Sequence, residues 1–237
     1  MAGLVLRTRV QILEARANLV SRDLAWRTGY LEKFLRKMRL LTRQEIGDVL
    51  KSWDVSQTAD FAVKHVKRNE PVLDIGAFAS EIPIILHRLG FTDLSGVDLN
   101  PAVKTMPYAD KIRYSVGDFL KTPFPSESFS LITAISVIEH GFRPKELLRE
   151  VARLLRPAGY FVASFDFWPE KINTEGIQMF GMDWRIFSKD EVAELIRAAR
   201  SYGLSPHGTI DLEVDQKPIT FLERSYTFAW LALKKAG

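Results

Sequence analysis

Asp74, Asp98, Asp118, His140 and Asp166 each stand in or just after an apolar run, where a side chain is held firmly enough to do chemistry. In Val72-Leu-Asp-Ile-Gly76-Ala77-Phe78-Ala-Ser80, a carboxylate precedes a glycine by two residues. A glycine there lets the backbone of a tight turn approach a ligand closely. Asp98, in Leu94-Ser-Gly-Val-Asp98-Leu99-Asn100-Pro, follows Asp74 by 24 residues. That is near the spacing at which a carboxylate accepts hydrogen bonds from both ribose hydroxyls of a nucleoside. Asp118-Phe119 offers an acceptor for an adenine amino group beside a ring that packs on the base. Each feature alone is common, but three in order at three successive strand ends point to a nucleoside site.

His140 closes Ser136-Val-Ile-Glu139-His140, and Asp166 ends a later apolar run. On neighbouring strands the two would sit side by side. A neutral imidazole takes a proton from a hydroxyl, and an adjacent carboxylate fixes its tautomer and stabilises the cation. His65, His87 and His207 fall on a helix before the first strand, a core helix and a loop, and read as structural. No His, Asp and Glu set has recognisable metal spacing, so no metal is expected. Between Phe165 and Phe187 six aromatic residues follow the Asp166 run, and Trp168 and Trp184, with Lys171 and Arg185, are the expected acceptor-binding residues.

These residues need a frame. Strand patterns near 71–75, 94–98, 112–116, 130–137 and 159–166 alternate with amphipathic helical patterns near 80–89, 144–155 and 188–202. Ser188-Lys-Asp-Glu191 forms a capping box at the last helix. Such alternation predicts a doubly wound α/β fold with a mostly parallel sheet. Two more strands near 208–214 and 224–234, joined by a turn-rich stretch around Lys217-Pro218, predict an antiparallel edge hairpin and seven strands in all. Residues 1–69 read as a helical N-terminal cover and 70–237 as the α/β domain. In the cover, Leu31, Phe34, Leu35, Met38 and Leu41 recur at helical spacing, Thr42-Arg-Gln-Glu45 makes another capping box, and a helix at about 57–67 precedes the first strand.

From Asp74 onward the motifs resemble those of class I S-adenosylmethionine-dependent methyltransferases, which have a Rossmann-like fold. The likeness continues through Pro123-Phe-Pro-Ser-Glu-Ser-Phe129-Ser-Leu-Ile132, Ser136-Val-Ile-Glu139-His140 and Leu154-Leu-Arg-Pro157-Ala-Gly159, covering about 70–170. It implies S-adenosylmethionine as cofactor and S-adenosylhomocysteine as product. It also implies a cofactor site made by Asp74, Gly76, Ala77, Phe78, Asp98, Leu99, Asp118, Phe119 and Ser136. Within the superfamily the run looks most like small-molecule and sugar O-methyltransferases, so the expected acceptor is a hydroxyl on a saccharide or glycan end, with His140 as base and Asp166 as its orienter. Two departures stand out. Of the usual G-x-G-x-G only Gly76 survives, with Phe78 and Ser80 in the other places, and Ala158 replaces a turn glycine. Lost glycines count more against a dinucleotide, whose pyrophosphate must meet the backbone, than against a methyl donor that has no phosphate.

Composition narrows the field. With 46% hydrophobic and 26% charged residues, the 237-residue chain is globular in character. The absence of cysteine excludes disulfides and thiolate catalysis and suits a cytoplasmic protein. No apolar run nears the ~18 residues that cross a bilayer, and no secretory signal follows Met1. Residues 1–43 hold ten Lys and Arg against three acids, a local +7 in a chain of +4, leaving −3 for the rest. A basic arm suits a phosphate-bearing acceptor, a nucleic acid or a lipid surface, and equally a solvated helix face. RNA or protein methylation, and a non-catalytic scaffold motivated by the lost glycines, are the alternatives.

Overall fold

The computed structural model describes residues 2–26, 38 and 46–237. Five α-helices are described: α1 (Arg9–Ser21), α2 (Ser52–His65), α3 (Ile82–Arg88), α4 (Pro144–Leu154) and α5 (Lys189–Arg200). The strands are β1 (Gly3–Val5), β2 (Val72–Ile75), β3 (Leu94–Asp98), β4 (Ile112–Val116), β5 (Phe129–Ile135), β6 (Leu155–Phe167), β7 (Gln178–Met179), β8 (Met182–Asp183), β9 (Leu204–Pro206), β10 (Ile219–Phe221) and β11 (Arg224–Lys235). Nine strands form one sheet along the path β1-β11-β6-β5-β2-β3-β4, with β9 and β10 also on β11, while β7 and β8 make a separate ribbon. The strands from β4 to β6 are parallel, and every pairing to β11 is antiparallel.

The two-residue alternation of each strand builds two cores, one per face. Leu73, Ile132, Phe161, Ala163 and Leu231 pack with Leu147, Val151, Val192 and Leu195 of α4 and α5. Their sequence neighbours Val72, Leu131, Val162, Trp230 and Ala232 face the other way, onto Ile12, Leu19, Trp53, Ala59, Ile82 and Ile85 of α1 to α3. Buried polar contacts fix α2 on the sheet. Trp230 Nε1 donates to Thr58 Oγ1 at 2.9 Å, and Ser164 Oγ to Asp54 Oδ2 at 2.9 Å.

The five main strands and the helices α3 to α5 lie close to where the periodicity puts them, and the box on Ser188 and Glu191 is formed. Four readings need correction. The sheet has nine strands rather than seven, because three short strands share the outer edge of β11. The strand expected near 208–214 is absent: there the chain makes only an isolated bridge, Gly3 to Ile210, and the hairpin partner of β11 is β10. The turn of that hairpin, Leu222-Glu223, holds φ of 46° and 58°, a geometry normally given to Asn-Gly. Within the helical cover residues 3–5 form a strand, and α2 begins at Ser52, ahead of the helix expected at about 57–67. The stripe Leu31 to Leu41, apart from exposed Met38, and the box at Thr42 to Glu45 lie outside the described residues.

Candidate active site

Beyond the carboxyl ends of β2, β3, β5 and β6 lies a cavity of about 790 Å³, which is where ligands bind in open α/β sheets. Among its described lining residues are Gly76, Phe78, Asp98, Leu99, Phe119, Ser136, His140 and Asp166, so the sequence motifs converge.

One half is built mainly from backbone turns. Gly76 has φ of 72°, and a Cβ on it would stand 2.4 Å from Val137 Cγ2. No larger residue fits this close approach. Asp98 is half-buried. Its Oδ2 accepts from the Phe78 amide at 3.0 Å and its Oδ1 from the Asn100 amide at 2.7 Å. Each oxygen keeps a further acceptor site for a hydroxyl. Leu99, 55% exposed, and Phe119 supply apolar surface beside it. The Phe78 side chain, in the place of a motif glycine, packs against Ala77, Ile84, Val103 and Met106 and forms part of the cavity wall.

Other expected cofactor residues support the turns from behind. Asp74 is buried beneath them, accepting from Thr133 Oγ1 at 2.6 Å, and burial pushes its carboxyl up to about 7. Ala77 is fully buried, and Asp118 is exposed with Oδ1 accepting from the Leu120 amide. None of the three is among the lining residues. Ser136 lines the cavity, yet its hydroxyl donates to Glu139 Oε1 at 2.6 Å.

The other half is side-chain surface. Leu50, Val55, Met179, Phe180, Met182, Ile219, Phe221, Tyr226 and Phe228 make it apolar. Phe180 and Phe221 remain 70% and 42% exposed. His140 stands where the halves meet, edge-on to Phe180 with centroids 5.3 Å apart. No described group hydrogen-bonds its buried Nδ1. Burial pushes the imidazole below its ordinary value against the pull of Asp166, and Lys51 adds to the depression. That depression favours the neutral imidazole.

Asp166 does not hydrogen-bond to His140. Its Oδ2 accepts from Trp184 Nε1 at 2.8 Å and its Oδ1 from Lys51 Nζ at 3.3 Å. Around this pair lie two more buried acids. Burial raises Asp54 to about 7, opposed by Lys51 and Ser164. Burial and Asp166 raise Glu139 to about 8. Ala79, Ser136 and Phe180, all in the lining, hold φ of 64°, 57° and 55°, and strain of that kind gathers at functional sites.

The acceptor residues expected from the sequence separate. Trp184 is buried as a support for Asp166. Trp168, Lys171 and Arg185 are outside the lining. Glu191 collects both cations, Lys171 at 2.8 Å and Arg185 at 2.9 Å, while also capping α5. Trp168 lies under Lys217 at 4.4 Å. Lys51, Asp54 and the aromatic end of β11 carry the site, and sequence reading missed them.

Residues 73–163 match a family model described as "Methyltransferase domain". A sterol 24-C-methyltransferase of Gibberella zeae is 38% identical over 53 residues, which is 22% of this chain and 14% of that protein. A geranyl diphosphate C-methyltransferase from Streptomyces coelicolor A3(2), crystallised with Mg2+, a geranyl-S-thiolodiphosphate and S-adenosylhomocysteine, superposes with a TM-score of 0.58. The two are 18% identical, with 97% of this chain and 99% of that one covered. The [4+2]-cyclase SpnF superposes at 0.59 with 14% identity, covering 99% and 98% of the chains. At these identities the structures speak for the fold, the Rossmann-like fold of these methyltransferases, and within it residues 73–163 are similar to a methyltransferase domain.

Proposed function

We propose that the protein transfers the methyl group of S-adenosylmethionine to a hydroxyl of a small molecule with a largely apolar body. The observation that carries this is the position of His140, with its buried Nδ1 free of any described hydrogen-bond partner, at the junction of a turn-built half and an apolar half of one cavity.

The residues present fit the cofactor. Gly76 would admit its amino-acid end, Asp98 would accept from the ribose hydroxyls, and Leu99 and Phe119 would enclose the adenine. Asp118, exposed at the rim with one oxygen committed to Leu120, has the other for an adenine amino group. When bound, S-adenosylmethionine supplies an electrophilic methyl group on a sulfonium. Most of the acceleration comes from holding the acceptor oxygen in line with that carbon while water is excluded, a task for the apolar wall of Met179, Met182, Ile219, Phe221 and Phe228. His140 takes the hydroxyl proton. Asp166 acts on a different partner, Lys51, and only through space on the imidazole.

A saccharide end, the acceptor suggested by the sequence, would find few hydrogen-bonding groups in this half. A phosphate-bearing one would find Lys51 as the single cation among the described lining residues, against Asp48, Glu81, Asp98 and Asp166. A second reading is methylation at an alkene carbon, favoured by the rings and buried carboxylates and by the acceptors in the names of the sterol and geranyl diphosphate relatives. The part of residues 1–69 read as a cover that reaches the cavity among the described residues is Gly47, Asp48, Leu50, Lys51 and Val55. No helix among the described residues is long and apolar enough to cross a membrane. The test is to incubate the purified protein with methyl-labelled S-adenosylmethionine and panels of phenols, sugars, sterols, prenyl alcohols, RNA and proteins. Label in an ether of an apolar hydroxyl compound is the expected result. Label in a new carbon–carbon bond would establish the second reading, and label only in RNA or protein would sink both.

A further inference from the structure

Lys51 reaches the cavity from a short 3-10 turn, Val49–Lys51, whose start is capped by Asp48 accepting from the Leu50 amide at 2.9 Å. Its side chain is only 18% exposed. The ammonium lies 3.3 Å from Asp166 Oδ1 and 3.4 Å from the centroid of the Phe228 ring, and it lines the same cavity as His140. Burial by itself works against the charged form. Three acids face it, Asp166 from β6, Asp54 from α2 and Glu139 after β5, and their pull, led by the hydrogen-bonded Asp166, outweighs burial and moves the ammonium above its ordinary value. An ammonium has three N–H donors, and hydrogen bonds to described residues use one of them.

A fixed cation beside a neutral base selects among nucleophiles. It repels the protonated amine that an N-acceptor would bring, and it opposes the positive charge that an alkene carbon develops on methylation. It favours an oxygen that is becoming negative, as preorganised donors do at developing oxyanions. We propose that Lys51 is a catalytic residue that binds the acceptor oxygen as His140 removes its proton, and that the acceptor is therefore an acidic hydroxyl, a phenol or an enol, on an apolar body. This rests on the O-methylation reading above. In the step, the O–H bond breaks and its proton passes to the imidazole, leaving the electron pair on oxygen beside Lys51. That pair forms the bond to the methyl carbon while the carbon–sulfur bond breaks, its electrons remaining on sulfur. The imidazolium then gives its proton to solvent. Asp166 is a positioning residue for Lys51.

The probe is 4-nitrophenol, whose phenolate is yellow, titrated against pH on protein saturated with S-adenosylhomocysteine. Wild type should hold the probe as phenolate about one unit or more below the pH at which the free phenol ionises, the effect of an opposite charge at close range. Lys51→Arg should keep that shift. Lys51→Met should lose it, and Asp166→Asn should reduce it and raise KM for a phenolic acceptor more than it lowers kcat. Cofactor affinity within a few-fold of wild type certifies the fold of each variant. Equal phenol ionisation in wild type and a folded Lys51→Met, or a probe that wild type binds only as the neutral phenol or not at all, overturns the proposal. The wild-type measurement stands even if Lys51→Met fails to fold. Label transferred to alkenes, with no bound phenolate, would overturn the role of Lys51 and the O-methylation reading while leaving methyl transfer intact. Label transferred to an aliphatic hydroxyl without a phenolate shift would overturn Lys51 alone.

Discussion

The two halves of the cavity are made differently. The cofactor side is largely backbone geometry: the turn after β2, the amides of Phe78 and Asn100 on Asp98, and a glycine that admits no Cβ, all within about one βαβ unit. The acceptor side is side-chain surface gathered from the turn before α2, the ends of β5 and β6, the β7–β8 ribbon and the hairpin of β10 and β11. A site assembled from backbone within one unit keeps its function through many sequence changes elsewhere, whereas one assembled from distant side chains can change acceptor without touching the cofactor. The lesson is that the two halves should be separable by mutation.

The strongest test of that separation is His140→Ala. It should lower kcat by about 10² to 10⁴, the usual contribution of a positioned base, with S-adenosylmethionine affinity by calorimetry within a few-fold of wild type. Since Asp166 bonds to Lys51 and not to the imidazole, adding Asp166→Asn should lower the rate further; a double mutant no worse than His140→Ala would instead make Asp166 an orienter after all. Next in size, Asp98→Ala should weaken cofactor binding by about 1.5–3 kcal/mol, the range for hydrogen bonds to a charged group, in a protein that still folds. Equal loss of cofactor affinity in both variants would show that the halves are one unit.

How much of this was legible in the sequence follows the same division. Gly76, Phe78, Asp98 and Phe119 line the cavity as expected because a strand, a turn and a chemical type adjoin within a few residues, whereas Asp74 lies buried beneath it. His140 and Asp166 were found because strand ends are marked by where apolar runs stop. Lys51 was not, because its importance comes from Asp166, 115 residues away, and a lysine next to a helix start has the look of a solvated one. Trp168 and Arg185 were misplaced for the converse reason. Proximity to β6 in sequence does not say which way a side chain turns, and the capping carboxylate of Glu191 draws Arg185 away. The strand β1, three residues long, has no period to read.

A smaller effect concerns the support beneath the acceptor half. Trp184→Phe keeps an aromatic side chain, though a smaller one, and removes the 2.8 Å bond to Asp166. It should cost about 1.5–3 kcal/mol of stability, measured by urea unfolding, since a charged acceptor loses a buried donor. The smallest and most diffuse effect is pH. Asp54 and Asp74 at about 7 and Glu139 at about 8 bind protons more tightly folded than unfolded. Their contribution to stability is complete below the unfolded values near 4 and is lost as pH rises through 7 to 8. His65 and His207, held below 6.5 by burial first, act oppositely, so stability falls as pH drops below about 6.5. Thermal unfolding of the cofactor-free protein should therefore occur at a lower temperature at pH 8.5 than at pH 6.5. Asp74→Asn should flatten that slope without altering the pH profile of the rate, which should rise with a midpoint below 6.5, as the depressed His140 requires.

The pairing of β1 with β11, sealed by the Thr227 hydroxyl donating to the Leu6 carbonyl 221 residues away, has a consequence for how the protein is made. During synthesis β1 and α1 leave the ribosome early and find no partner strand until β11 emerges. Lys51 likewise waits for the Phe228 ring it sits over. The cofactor half can close once β5 is out, but the catalytic half is completed last, by residues from the two ends of the described chain. A nascent chain halted before β11 should hold S-adenosylmethionine and yet methylate nothing. Its exposed β6 edge, an unpaired row of backbone donors and acceptors, should make it a target for chaperones.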